Sequence, residues 1–302
     1  MKLKKLIYNV SLFAVGLTLA ACSDIAEDDR FEYVEPAEVA KRVLIEDFTG
    51  QRCVQCPDGT AKIEQLIADY GEDNIIAVGL YGGAMGFLPN GGPAMPLTCD
   101  ESQWYYTTGG VDQSPQPIAR IDRGDFNFNR KTWATAVYDR IKLKAPLSLD
   151  ATCNYDEASR NVEITINADI VQNVTVDSLG NVIIDSPDVV DGKLQVWLTE
   201  DSIVSVQAFP SGNDKEYVHN HVFRASVNDL AGESFVLNRG ETTKRTFTYT
   251  VSEDWKPEDM SVVTFVFNDS GVLQAAKAPL IPKAEEPGTG EGGESEGGDE
   301  AE

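Results

Sequence analysis

The pattern of apolar and polar positions divides the middle of the chain into two regions. In the first region, residues 43–48 (VLIEDF) form a short apolar run typical of a buried strand. Apolar residues then recur at helical spacing from Ala61 to Tyr70, and Gly71 ends the predicted helix. Residues 74–81 (NIIAVGLY) are a second buried strand. This order predicts a parallel strand pair joined by a right-handed helical crossover.

The same region continues to about residue 144. A Gly- and Pro-rich insertion at residues 82–96 is too irregular for core structure. Residues 118–122 predict a third strand, and residues 129–144 predict a helix with Trp133 and Val137 on its apolar face. Alternation of strand and helix therefore predicts an α/β domain over residues 41–144.

The second region, residues 145–283, replaces helical spacing with two-residue alternation. Alternating runs occupy residues 161–167, 194–198, 246–251 and 262–267. Turn signals stand at residues 179–181, 191–192, 238–240 and 270–271. Short alternating strands separated by turns predict an all-β antiparallel sandwich, with the domain boundary at the Lys144-Ala145-Pro146 junction.

The first 21 residues have the layout of a secretory signal. Three lysines precede an apolar run at residues 6–20, which is too short for a good membrane span. The run ends in LAAC, which resembles a bacterial lipobox. This predicts cleavage after residue 21 and membrane attachment through acyl chains, such as palmitate, on Cys22. The alternative is a chance cysteine after an ordinary signal peptide.

The net charge of the chain limits the classes of partner that it is expected to bind. The formal net charge is −24, and removing the three signal lysines leaves 22 basic against 49 acidic side chains, or −27. Such a surface repels nucleic acid and anionic headgroups, so neither is an expected partner. Residues 22–40 are predicted to be an acidic tether and residues 284–302 a disordered acidic tail. The acidic segment after Cys22 also resembles lipoprotein export signals, so a periplasmic or a cell-surface face of the outer membrane is expected.

A pair of cysteines, Cys53 and Cys56, falls between the first strand and the first helix. Free backbone N–H groups and the helix dipole at such a position stabilise a thiolate. The pair could ligate metal, form a structural disulfide or exchange electrons. Structural zinc needs two further ligands at comparable spacing, and none is near in sequence, so no metal is predicted. A two-residue loop restricts the unfolded chain little, which favours reactivity over a structural role.

Residues 41–144 resemble a thioredoxin-like domain. Asp47 stands six residues before Cys53, and the Ser114–Pro117 segment resembles the loop that carries the fold's cis-proline. The resemblance implies that Pro117 lies across from the cysteines. It also implies that Cys53 is the nucleophile, that Cys56 resolves the mixed disulfide, and that Asp47 accepts or relays a proton, with no dissociable cofactor. No tryptophan precedes Cys53, which departs from the thioredoxin pattern.

The sequence CVQCP, with EDFTG before it, resembles the lipoproteins related to the twenty-eight-kilodalton outer membrane protein. Residues 217–224 and 271–276 also look familial. The resemblance implies a thioredoxin-like domain followed by an immunoglobulin-like β-sandwich. The function predicted on this basis is thiol–disulfide exchange with envelope or extracellular proteins. The alternative is a surface-exposed binding or assembly module in which the cysteine pair is structural or vestigial.

Three further sets of residues could carry chemistry. Cys99 and Cys153 could form a disulfide between the two regions, although free thiols are nearly as well supported. His219 and His221 alternate on a predicted strand and are interpreted as surface histidines. Asp185, Asp188 and Asp191 miss the spacing of a calcium loop and are interpreted as solvated turns.

Overall fold

The computed structural model describes residues 39–87, 96–176 and 182–282. The predicted signal peptide, Cys22, most of the tether, the acidic tail and the predicted turn at residues 179–181 lie outside the described residues. Three α-helices occur within them: Cys56–Tyr70 (α1), Asp100–Gly109 (α2) and Arg130–Ile141 (α3). None of these described helices combines the length and apolarity that a bilayer span requires.

The described residues also form sixteen strands. They are Val43–Thr49 (β1), Ile75–Tyr81 (β2), Ile118–Ile121 (β3), Phe126–Asn127 (β4), Leu147–Asp156 (β5), Asn161–Ile170 (β6), Asn173–Val176 (β7), Val182–Asp185 (β8), Val189–Glu200 (β9), Ile203–Phe209 (β10), Gly212–His219 (β11), Val222–Ser226 (β12), Glu233–Asn238 (β13), Thr242–Thr250 (β14), Met260–Asn268 (β15) and Gly271–Pro279 (β16).

A mixed sheet runs through both predicted regions. Among the described residues it holds nine strands in the order β16-β15-β9-β12-β2-β1-β3-β4, with β13 also paired to β9. Strands β1 and β2 are parallel with α1 between them in the chain, which confirms the predicted parallel pair, while β3 pairs with β1 in the antiparallel sense. The two regions join where Val222 of β12 pairs with Gly79 of β2. The chain is therefore mostly β, with the helices packed on the part of the sheet that contains β1.

A second sheet covers one face of the β9, β15 and β16 strands. It is antiparallel, in the order β14-β6-β5. Alternate residues of both sheets are buried between them because side chains on a strand point to opposite faces. This core contains, among others, Leu149, Val162, Ile164, Leu194, Val196, Val262 and Val266. The sandwich predicted for residues 145–283 thus shares one of its two sheets with the β–α–β unit.

An aromatic cluster ties the two regions together on the sheet face covered by α2. Phe48 and Tyr106 from the first region lie in one buried cluster with Trp197 and Phe265 from the second. Arg123 lies above the rings of Trp197 and Phe265, and its guanidinium carbon is 4.1 Å from the centroid of the Phe267 ring. Its Nε donates to Glu46 Oε1 at 3.2 Å. Ionic and cation–π contacts therefore reinforce an otherwise apolar junction.

Two local features differ from the sequence-based predictions. Helix α2 was not predicted, because its apolar residues are clustered aromatics without strong amphipathic spacing; Cys99 forms its N-cap. The predicted turn at Asp191-Gly192 is instead part of β9. A Cβ atom at Gly192 would lie 2.5 Å from the carbonyl oxygen of Phe267, so glycine here allows close approach of β15. The predicted turns at residues 238–240 and 270–271 are confirmed.

Candidate redox site

Cys53 and Cys56 form a disulfide at the start of α1. Their Cα atoms are 5.4 Å apart. The Cys56 N–H donates to the Cys53 carbonyl oxygen at 3.3 Å, and Pro57 occupies the first turn of the helix. Both cysteines are buried, with 5% of Cys53 and 1% of Cys56 exposed. A disulfide at this position lies at the positive end of the α1 helix dipole.

Asp47 lies on β1 beneath this helix. Val43 and Ile45 pack against Ile63 and Leu66 of α1, and two-residue alternation along β1 puts Asp47 on the same face. The carboxyl group is buried, and its Oδ1 has no hydrogen-bond partner among the described residues. Burial raises the pKa of Asp47 to about 7. The site therefore contains an acid that can take up or release a proton near neutral pH.

Pro117 packs on α1 one turn after Cys56. The Gln116–Pro117 peptide bond is cis. A Cβ atom at Gly59 would lie 3.0 Å from Pro117 Cβ and Cγ, so the absence of a side chain at Gly59 permits this close approach. The preceding side chain is also fixed, since Gln116 Nε2 donates to the Gly82 carbonyl oxygen at 2.9 Å and to the Tyr106 hydroxyl at 2.7 Å.

Sequence reasoning missed the β10–β11 hairpin as part of this site. Gln207 of β10 is buried, and its Nε2 donates to the Cys53 carbonyl oxygen at 2.9 Å. In the other direction, Gln51 Nε2 of the cysteine loop donates to the Ser205 hydroxyl and to the Val206 carbonyl oxygen, both at 3.0 Å. No local pattern marks these contacts, because they join residues more than 150 positions apart in the chain.

The two histidines differ from the prediction. His219 ends β11 and is 1% exposed, so the expectation of a surface histidine is wrong. Its Nδ1 is 2.8 Å from the Tyr81 hydroxyl, and burial lowers its pKa to about 4, which keeps it neutral at pH 7. His221 does not share a strand face with it, because it lies between β11 and β12 with φ at +57°.

Tyr81 links this histidine to the neighbourhood of Asp47. In the register of the parallel pair, Asp47 lies opposite Gly79, two residues before Tyr81 on β2. A Cβ atom at Gly79 would lie 3.2 Å from the Tyr81 ring, so that ring extends over Gly79 beside Asp47. Burial raises the pKa of Tyr81 well above its usual value of 10, and the Asp47 charge adds to the shift. Asp47, Tyr81 and His219 are thus neighbouring buried titratable groups.

The remaining candidate residues lie elsewhere. Cys99 and Cys153 are free thiols, so the possible disulfide between them is not formed. Cys99 packs against the aromatic cluster and Cys153 against the sandwich core, which explains why the two do not meet. Asp188 pairs with Arg239 at 2.9 Å. Asp191 lies in β9 rather than in a turn. Within the described residues, no group of three or more histidine, cysteine or acidic side chains could hold a metal ion.

Together, fold and site define a class of protein in which a disulfide-bearing β–α–β unit shares a sheet with a β-sandwich. Residues 105–283 match the family described as outer membrane protein Omp28, and since this is more than half of the chain, the chain belongs to that family. The matched segment begins after α1, so it includes Pro117 and the sandwich but not Asp47, Cys53 or Cys56.

Solved structures resemble this fold at low sequence identity. HBP35 of Porphyromonas gingivalis superposes with a TM-score of 0.57 at 13% identity, covering 82% of this chain and 79% of that chain. A domain of the outer membrane lipoprotein Omp28 from P. gingivalis has 21% identity and a TM-score of 0.31, covering 46% of this chain and 92% of that chain. The likeness to HBP35 bears on the fold alone. Comparison with curated proteins finds no match.

Proposed function

We propose that this member of the outer membrane protein Omp28 family carries a thioredoxin-like domain over residues 41–144. We also propose that it exchanges its Cys53–Cys56 disulfide with thiols of envelope or extracellular proteins. The observation that carries the proposal is the disulfide at the N-terminus of α1 above an acid, Asp47, whose pKa is raised to about 7. A parallel β1–α1–β2 unit followed by the antiparallel β3, with Pro117 directly before β3, supports the thioredoxin-like assignment.

The exchange consists of two successive thiol–disulfide steps between the cysteine pair and a partner dithiol. A partner thiolate attacks Cys53 Sγ, the Cys53–Cys56 bond breaks, and its electron pair goes to Cys56 Sγ, which takes the proton from Asp47. A second partner thiolate then attacks the partner's sulfur in the mixed disulfide and releases Cys53 as a thiolate. The partner dithiol is oxidised to a disulfide and the protein pair is reduced. In the reverse direction, the Asp47 carboxylate removes the Cys56 proton.

The test is a redox titration of the native protein in glutathione buffers, followed by trapping. Cys56→Ser leaves Cys53 without a resolving thiol, so we expect mixed disulfides with envelope proteins to accumulate on Cys53. Cys53→Ser is the matched control and should trap far less, because Cys56 is the more buried thiol. A native pair that stays oxidised in reducing glutathione, or equal trapping by both variants, contradicts the proposal.

A second candidate function has its own support. With only 5% of Cys53 exposed, the disulfide could serve to hold the loop in place while the sandwich binds a partner at the cell surface. In that case Cys53→Ser and Cys56→Ser would each reduce stability without trapping a partner. The same trapping experiment therefore separates the two candidates.

We also propose attachment to the outer membrane through acylated Cys22, on its periplasmic or cell-surface face. Family membership and the LAAC sequence support this. Labelled palmitate should be incorporated into the wild-type chain and not into Cys22→Ser. Protease treatment of whole cells distinguishes the two faces, since only a surface-exposed chain is cleaved.

A further inference from the structure

The β10–β11 hairpin closes over the cysteine loop. Hydrogen bonds join them in both directions: Gln207 Nε2 donates to the Cys53 carbonyl oxygen, Ala208 N donates to the Gln51 carbonyl oxygen at 2.8 Å, and Gln51 Nε2 donates to the Ser205 hydroxyl and the Val206 carbonyl oxygen. Gln51 has no exposed surface, and its Oε1 accepts from Leu97 N on the other side of the loop. The hairpin therefore packs directly against the backbone of the loop that carries the disulfide.

The hairpin is also separate from the sheets of the molecule. Strands β10 and β11 pair only with each other among the described residues. Along β11, the positions from Gly212 to Glu216 are all exposed. At the base of the hairpin, a small apolar cluster of Tyr81, Leu97, Ile203 and Val222 anchors it. A two-stranded hairpin is only marginally stable alone, so this one depends on the buried residues of β10, Ile203 and residues 205–208, and on its hydrogen bonds to the cysteine loop.

Short connectors at both ends of the hairpin provide hinges. Asp201 and Ser202 lead from β9 into β10, and Asn220 and His221 lead from β11 into β12. Ser202 and His221 adopt φ values of +60° and +57°, a conformation that costs non-glycine residues free energy. The connectors hold each other, since Ser202 N donates to Asn220 Oδ1 and His221 N donates to Asp201 Oδ1. Rotation at these two positions would move the hairpin as a unit.

We propose that the β10–β11 hairpin is a gate that controls access of protein thiols to Cys53. This inference rests on the proposed thiol–disulfide exchange and adds its regulation. With the hairpin closed, 5% of Cys53 is exposed, which leaves no room for the backbone of a folded partner. With the hairpin open, the Cys53 carbonyl oxygen loses the Gln207 bond and the sulfur is uncovered for attack. The gate thus selects small thiols over proteins until it opens.

The kinetic test compares two reductants on the oxidised full chain in detergent. Dithiothreitol is the small probe, reduced thioredoxin is the protein probe, and reduction is followed by gel shift after maleimide labelling. Gln207→Ala removes the side-chain bonds of Gln207 to the loop and keeps those of Ala208 and Gln51, and we expect reduction by thioredoxin to accelerate about five- to tenfold, with a smaller change for dithiothreitol. Gln65→Ala removes an exposed glutamine of α1 and is the matched control, with no change expected for either reductant.

Hydrogen exchange on the wild-type chain provides a test that needs no variant. Amides of residues 203–219 should exchange faster than those of Met260–Asn268, which lie in the middle of the large sheet. The gate is overturned if the two segments are equally protected, or if thioredoxin reduces Gln207→Ala and wild type at equal rates. Either result leaves thiol–disulfide exchange possible. A native pair that even dithiothreitol cannot reduce in any variant removes both the exchange and its gate.

Discussion

Two buried aspartates, one on β1 and one at the end of the neighbouring β3, have opposite surroundings. Asp122, directly after β3, has no exposed surface and accepts from Lys41 Nζ and Arg140 Nε, each at 2.9 Å, and from Leu44 N at 2.8 Å. Asp47 on β1 is nearly as buried, yet its Oδ1 has no partner within the described residues. One acid has a full set of partners, whereas the other is incompletely satisfied.

The difference shows what each carboxyl group does. Burying a charge is costly unless it is paired and hydrogen-bonded, so Asp122 with its cations acts as a structural junction between β1, α3 and the start of the domain. Asp47 avoids the cost by holding a proton, which is the physical meaning of its raised pKa. An acid that changes protonation near pH 7 is suited to proton transfer at a thiol.

The largest expected effect comes from removing the charge of Asp122, the acid with a full set of partners. Asp122→Asn leaves the buried Lys41 ammonium without a counter-charge, and we expect the free energy of unfolding to fall by about 3–5 kcal/mol. Urea unfolding at pH 7 measures it. Asp188→Asn, which breaks an exposed pair with Arg239, is the control and should change the same quantity by less than about 1 kcal/mol. Similar small losses in both variants would show that the Asp122 cluster is not a structural junction.

The second prediction concerns the pH dependence of stability at Asp47. Its pKa is about 7 in the folded chain and near 4 when unfolded, so the folded state binds the extra proton between these values. The stability contributed by this group is full below pH 4 and is lost as pH rises to 7, by roughly 4 kcal/mol at most. Asp47→Asn should abolish that slope, so that its unfolding free energy exceeds that of wild type by the largest margin at pH 7 and above.

Urea unfolding of both proteins between pH 4 and pH 8 measures the difference. Other titrating groups cancel in the comparison because the two chains share them. Parallel curves for wild type and Asp47→Asn would mean that Asp47 keeps an ordinary pKa, and the contrast with Asp122 would then disappear.

Local patterns predicted much of the region around these acids. The runs at residues 43–48 and 74–81 mark β1 and β2 because fully buried parallel strands are continuously apolar. The position of the cysteines between strand and helix followed from the same patterns, as did the two turns confirmed in the sandwich. Asp47 was selected only by resemblance, since its spacing from Cys53 says nothing by itself about burial or partners.

Contacts between distant segments could not be predicted in this way. Gln51 and Gln207 are ordinary polar residues in sequence, and their role arises from a hairpin that folds back across more than 150 residues. His219 lies in an alternating polar strand, yet Tyr81 from the other region buries it. Likewise, the sharing of one sheet by both regions depends on a single pairing, Val222 with Gly79, which leaves no periodic signal.

The third prediction concerns the rate of exchange. If Asp47 transfers the Cys56 proton, Asp47→Asn should slow reduction of the pair by thioredoxin at pH 7 by at least about tenfold. The wild-type rate should also change slope near pH 7, and the variant should lack that feature. Stopped-flow reduction across pH 5–9 measures both, with Asp188→Asn as the control. A tenfold loss without any change in the pH profile would indicate altered packing rather than proton transfer.

The smallest expected effect tests whether the Asp47 carboxyl group receives a hydrogen bond from the Tyr81 hydroxyl. Tyr81 extends beside Asp47, but its hydroxyl is bonded to His219 Nδ1 at 2.8 Å. Tyr81→Phe should therefore cost about 1 kcal/mol of unfolding free energy for the lost bond while leaving the Asp47 midpoint within about half a pH unit. The midpoint is read from the difference between the unfolding curves of Tyr81→Phe and of the double variant with Asp47→Asn.

A larger shift in the Asp47 pKa would show whether Tyr81 or His219 donates the proton of the hydrogen bond between them. The Tyr81 hydroxyl has one proton to donate, and His219 Nδ1 either accepts that proton or, when it is protonated, donates its own to the hydroxyl oxygen. If His219 carries its proton on Nδ1, the Tyr81 hydroxyl is free to donate to the Asp47 carboxylate, and removing it would raise the Asp47 pKa by a unit or more. A shift of that size would make Asp47 a partnered acid like Asp122, and the proton path under the disulfide would then run through Tyr81 to His219.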